Sequence, residues 1–328
     1  MSHRAIITIP IISIMASCGQ QPQIAPGNST SDTIALPSEL LTDEQPKPPT
    51  VKHAHNAQNF FAIEADGKVM VGNSADILKT TDIAGTDIAL SPDGYSIAYT
   101  DTSGQHKQVH IYDIATQQDQ QLSLGGYDYY ARNFSPDGNF LAVNCQFDEL
   151  TSTILIYDLR DSTMSGVANP EAQSLYNPTF SPDGELMVCH DMRKVFVYKF
   201  ENGIAKHTKT ISCDNLCIDN DLSINTDCRL QFTSTHDQIV YTCADYGTMR
   251  KNLRHLNIYD IRTGKIHKIL SDSLSCKDFS ISDDGNIYFL MENNRLTSVA
   301  CLASIANPSP VAISQKKFRK ATALKVAY

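Results

Sequence analysis

Tryptophan is absent from all 328 residues, and so are the patterns that most directly mark a catalyst. There is no Gly-x-Ser-x-Gly, which excludes the nucleophile elbow of an α/β-hydrolase. There is no His-Glu-x-x-His and no phosphate-cradling glycine loop, which removes the usual zinc-peptidase and nucleotide-binding readings. Basic residues are outnumbered, 27 against 36 acidic, giving a net charge of −9 that disfavours non-specific binding to nucleic acid. The one basic run, Lys316-Lys317-Phe318-Arg319-Lys320, is short and reads as a solvated strand edge. No apolar run is long enough for a transmembrane helix, and helical periodicity is missing throughout.

What the chain has is a ruler. Ser-Pro-Asp-Gly stands at Ser91–Gly94, Ser135–Gly138 and Ser181–Gly184, with Ser-Asp-Asp-Gly at Ser282–Gly285. A worn copy, Thr-Ser-Thr-His, occupies Thr233–His236 between Phe232 and Ile239-Val240-Tyr241. The copies start 44, 46, 52 and 49 residues apart, a period that means a stacked or circular array of one supersecondary unit. Proline presets φ, aspartate caps its own turn and glycine closes it, so each copy ties two antiparallel strands. A second signature ends a third strand: Ile111-Tyr112-Asp113, Ile156-Tyr157-Asp158 and Ile258-Tyr259-Asp260, with Val197-Tyr198-Lys199 departing from it. These strands are apolar on both faces, as strands covered on both sides must be. The fold class is therefore all-β, a β-propeller of four-stranded antiparallel blades. Six blades are expected, with seven as the alternative, and the first and last strands are expected to share a blade. Glu64-Ala65-Asp66-Gly67 reads as a shortened first copy of the turn.

These two motifs, in fixed order, resemble the WD-repeat-like and TolB-like propeller families over about Phe60 to the C-terminus. Tyr-Asp stands where WD repeats carry Trp-Asp, and the Gly-His pair is missing, so the resemblance implies the bacterial TolB-like side.

Residues 1–18 read as a signal peptide: His3 and Arg4, an apolar stretch broken by Pro10, then Ala16-Ser17 before Cys18. This resembles the bacterial lipobox, with Met15 where leucine is usual; the resemblance implies lipidation of Cys18. Gly19 resembles the pattern sorted to the outer membrane. Residues 19–58, rich in Gln, Pro, Ser and Thr, cannot bury enough apolar surface to order themselves and read as a tether reaching roughly 30–40 Å. Residues 59–328 form the propeller. An ordinary cleaved signal with a chance cysteine is the alternative. The expected location is the cell envelope, lipid-anchored and facing the periplasm.

Eight further cysteines follow Cys18, an even count that suggests disulfides in an oxidising compartment. Measured from the ruler, Cys213, Cys217, Cys228, Cys243 and Cys276 fall in loops on one face. Zinc on Cys213 and Cys217 is the competing reading. Asp219, Asp221 and Asp227 carry oxygens at spacings a calcium loop needs, although Ile224 replaces the turn glycine of the helix-loop-helix motif. Polar residues before each apolar anchor, Asp87, Arg132, Asn177, Arg229 and Asp278, should ring the channel mouth on the same face. Tyr127, Tyr129, Tyr130 and Tyr176 should join them as a recognition rim, because tyrosine offers rigid amphipathic contact area. The expected function is a non-catalytic module binding a protein or peptide partner. The alternatives are a hydrolase or lyase at the channel mouth and a purely structural scaffold.

Overall fold

The computed structural model describes residues 60–327 apart from 149–150, 172–173, 218, 220, 247–252, 272–273, 283, 295–296 and 307–308. The signal peptide, Cys18 and the tether lie outside the described residues.

Six antiparallel sheets form a propeller ring. From the axis outward, blade 2 runs Thr86–Leu90, Ser96–Asp101, Gln108–Asp113 and Asp119–Gln121. Blade 3 runs Asp128–Phe134, Phe140–Gln146, Ser152–Asp158 and Met164–Gly166; blade 4 runs Tyr176–Phe180, Leu186–His190, Lys194–Glu201 and Ile204–Ser212. Blade 5 runs Leu230–Phe232, Gln238–Asp245, Leu253–Asp260 and Ile266–Lys268, with the two-residue strand Leu222–Ser223 as a fifth member. Blade 6 runs Ser275–Ile281, Asn286–Asn294, Thr297–Ser304 and Val311–Arg319. Blade 1 closes the circle: Ala321–Ala327 is its inner strand, pairing with Phe60–Ala65, followed by Lys68–Ser74 and Ile77–Thr80.

The turns show why the tetrapeptide recurs. In Ser91–Gly94 the serine hydroxyl donates to Asp93 at 2.6 Å and accepts from the Ser96 N–H at 2.9 Å, while Asp93 accepts from the Tyr95 N–H at 3.0 Å. The copies at Ser135 and Ser181 repeat these bonds, and the closing glycines 94, 138, 184 and 285 all have φ of 70–78°. The Tyr-Asp signature has its own task. Asp113, Asp158 and Asp260 each accept from a backbone N–H two or three residues on, at 2.7, 2.9 and 2.8 Å, stopping the third strand.

Glu64–Gly67 proves to be a different turn. It joins the second and third strands of blade 1, because Ala321–Ala327 supplies the inner strand. The apolar core is not central but divided into six layers, one between each pair of neighbouring blades. Strand alternation explains this: Ile239 and Tyr241 face blade 4 while Val240 between them faces blade 6.

Candidate functional site at the channel mouth

Four of the six inner strands lose register near their polar position. The irregularities fall between Thr86 and Ala89, Ala131 and Asn133, Tyr176 and Thr179, and Cys276 and Phe279. They bracket Asp87, Arg132, Asn177 and Asp278. A bulge re-aims a side chain, and here four of them turn to the axis. Asp87 and Asn177 take positive φ, 54° and 49°, a conformation their short polar side chains tolerate.

These residues, with Arg229, line a cavity of about 720 Å³. Its charges are arranged in pairs. Arg132 Nη1 lies 2.5 Å from Asp87, and Arg229 Nη1 lies 2.6 Å from Asp278. Asp278, 3% exposed, is gripped a second time by Lys325 and accepts from the Leu324 N–H at 2.9 Å. Burial pushes its carboxyl up while Arg229 pulls it down. Arg254 holds Asp227 at 2.8 Å. Glu64, between the carboxylates of Asp87 and Asp278, is pushed up to about 7, first by burial and then by those two charges, against a hydrogen bond from Thr322. Five cations (Arg132, Arg229, Arg254, Lys277 and Lys325) thus face four acids, one of them half-protonated near neutrality, in a chain that is acidic overall.

A second cavity of about 380 Å³ adjoins the first and shares Arg132, Thr226 and Asp227 with it. Tyr130 and Tyr176 line it. Tyr130 is held by Lys107 Nζ at 2.8 Å and donates to Gln146 at 3.0 Å, with Arg132 stacked 5.3 Å from its ring centre. Asn177 donates to the carbonyls of Thr226 and Cys228 at 2.6 and 2.8 Å, fastening the long connection from blade 4 to blade 5 against the mouth. His190, whose burial pulls it down to about 4, meets the same Cys228 carbonyl at 3.0 Å.

Two expected rim residues stand elsewhere. Tyr129 is fully buried, its hydroxyl bonded to the Leu124 carbonyl, because strand alternation turns it into the layer between blades 2 and 3. Tyr127 packs edge-on against Phe147, 5.0 Å between centres, outside both cavities. Asp219 and Asp221 do not join Asp227 in a cluster. Among the described residues, three or more metal-capable side chains with ligand atoms within 4.8 Å occur only at Asp183, Glu185 and His236. There Asp183 is already capping its own turn. The cysteines, expected in loops, are free thiols in the structure, and Cys243 and Cys276 lie within strands. Cys276 is buried with Cys301 between blades 5 and 6, away from the other four.

Sequence reasoning missed Glu64, Thr322 and Lys325 because blade 1 is built from both ends of the propeller and carries no tetrapeptide. It missed Arg254 and Tyr246, which also line the larger cavity, because neither stands at the fixed offset from a turn.

No family model matches the chain, and no curated protein does. Solved structures do. TolB from Acinetobacter baumannii superposes with a TM-score of 0.60 at 15% identity, covering 82% of this chain and 66% of that one. The chain shares its fold with TolB. A TolB candidate from Agrobacterium tumefaciens gives 0.51 at 12% identity, covering 81% and 98%. A chain of a nidogen/laminin complex gives 0.57 at 9%, covering 82% and 98%. The chain thus spans just under two thirds of the Acinetobacter TolB chain, and the likeness concerns the propeller fold.

Proposed function

We propose that the propeller is a recognition module for an extended peptide segment presented by a protein partner, held at the envelope through lipidated Cys18. The observation that carries this is that the two cavities share a polar wall. Arg132, Thr226 and Asp227 line both, which sets Tyr130 and Tyr176 beside the charges of the channel mouth. A wall of paired charges beside anchored tyrosine suits a backbone with alternating polar side chains better than a small apolar ligand. The nidogen/laminin structure is of a protein complex, which fits a propeller of this kind serving association.

An enzyme at the mouth has less support. Asp87, Asp227 and Asp278 are each held by a cation, and no histidine is among the cavity-lining residues. The test is recovery of partners from crosslinked envelopes with the anchored protein and with a Tyr130→Ala/Arg132→Ala/Tyr176→Ala variant. The proposal expects at least one protein lost by the variant. Identical recovery by both, with the variant folded, would remove it.

A further inference from the structure

Five blades repeat one turn, and at one place two departures from it meet. In the copies at Ser135 and Ser282 the residue after the closing glycine is asparagine. Asn139 donates from its amide to Asp137 Oδ2 at 2.7 Å, and Asn286 donates to Asp284 Oδ2 at 2.6 Å. The other oxygen of each aspartate accepts from the serine hydroxyl of its own turn. In the copy at Ser181 the asparagine is replaced by Glu185, whose carboxylate has no proton to give. Asp183 Oδ1 still takes the Ser181 hydroxyl at 2.7 Å and the Glu185 N–H at 3.1 Å, but Oδ2 has no amide donor.

The second departure stands in the next blade. His236 takes the place of the glycine that closes the other four turns, and its Nε2 lies 2.8 Å from both oxygens of Asp183. The imidazole and the carboxylates of Asp183 and Glu185 each offer an atom within 4.8 Å of the other two. Among the described residues no lysine or arginine pairs with either acid, and the Glu185 carboxylate has no hydrogen bond. Two carboxylates this close repel each other, and one imidazole directed at Asp183 answers only one of them.

We propose that Asp183, Glu185 and His236 are a binding site for a divalent transition-metal ion of the zinc class. One imidazole and two carboxylates are a ligand set that zinc accepts, and the nitrogen separates it from the all-oxygen sets of calcium and magnesium. Ligand atoms about 2.0–2.2 Å from one ion stand roughly 2.8–3.6 Å apart. The imidazole therefore already keeps the separation from Asp183 that a shared ion requires. Neutral His236 coordinates through Nε2 with its proton on Nδ1, exposed Glu185 supplies the third ligand, and water takes the fourth position. The site lies at the other end of the inner strands from the cavity, and an ion there ties the inner hairpin of blade 4 to that of blade 5. The inference does not depend on what the cavity binds.

The full chain is purified, its accessible thiols are alkylated, metal is stripped with a chelator, and zinc chloride is titrated in by calorimetry. The wild type should take up one zinc per chain. Glu185→Asn restores the amide of the other copies and His236→Gly restores their glycine, so both variants should fold. Each should bind zinc at least tenfold more weakly, and zinc should raise the thermal midpoint of the wild type by more than that of either variant. No saturable uptake by the wild type, or uptake that either variant retains at wild-type affinity, overturns the site and leaves only an ion pair between two turns.

Discussion

Glu64 is 7% exposed and faces two other carboxylates, yet its own ionisation is the easiest of the site's charges to follow. Its folded pKa, about 7, lies above the ordinary 4.5, so between those values the folded chain binds a proton that the unfolded chain has released. Stability contributed by this group is complete below pH 4.5 and is lost as pH rises to 7. The size is bounded at roughly 3 kcal/mol by the shift itself. Glu64→Gln should therefore match the wild type at pH 4 and exceed it at pH 8, read as the difference between two urea titrations at each pH. A wild type equal to the variant at both pH values would show that Glu64 is solvated. The neighbouring Asp278 is raised as well, by burial that outweighs the pull of Arg229.

At the scale of one element, the worn turn at Thr233–His236 is the informative one. His236 occupies the place of the closing glycine and takes φ of 57°, and its imidazole reaches Asp183 of the neighbouring turn at 2.8 Å. A side chain in that conformation costs about 1 kcal/mol, and a partly exposed ion pair returns less. His236→Gly should raise the unfolding free energy by about 0.5–1 kcal/mol, seen as a higher midpoint in chemical unfolding. An unchanged or lowered midpoint would mean that the bond to Asp183 outweighs the strain. Turns like this were legible in the sequence because their chemistry is local. Pro, Asp and Gly act within four residues. The polar ring was legible for the same reason, as Asp87, Asn177, Arg229 and Asp278 sit at a fixed offset from an apolar anchor. Tyr129 was misread because the inner strand of blade 3 begins at Asp128, earlier than its apolar pattern shows, and a residue placed in a strand alternates into the core. Glu64 and Lys325 were hidden because their strands, Phe60–Ala65 and Ala321–Ala327, pair from the two ends of the propeller.

For the whole molecule, six separate apolar layers mean that each blade is stable only while both neighbours are in place. Residues 321–327 complete the layer between blades 6 and 1 through Leu324 and Val326, and that between blades 1 and 2 through Ala323 and Ala327. Removing residues 321–328 should abolish the single cooperative transition in calorimetry and expose dye-binding apolar surface. A truncated chain that still melts sharply near the wild-type temperature would argue against closure as a source of stability. The closing pair also sets a sequence of events in time. Phe60 pairs with Ala327, so Phe60–Ala65 waits, with one edge unfilled, until residues 321–327 have left the ribosome. Blades 2 to 6 assemble from local hairpins, but the last step joins the two most distant parts of the propeller and bears the greatest loop-closure entropy. Ring closure is accordingly a latch between the two strands of the propeller that lie farthest apart in sequence. The interval before it engages is when the unpaired edge of Phe60–Ala65 is open to pairing with another chain.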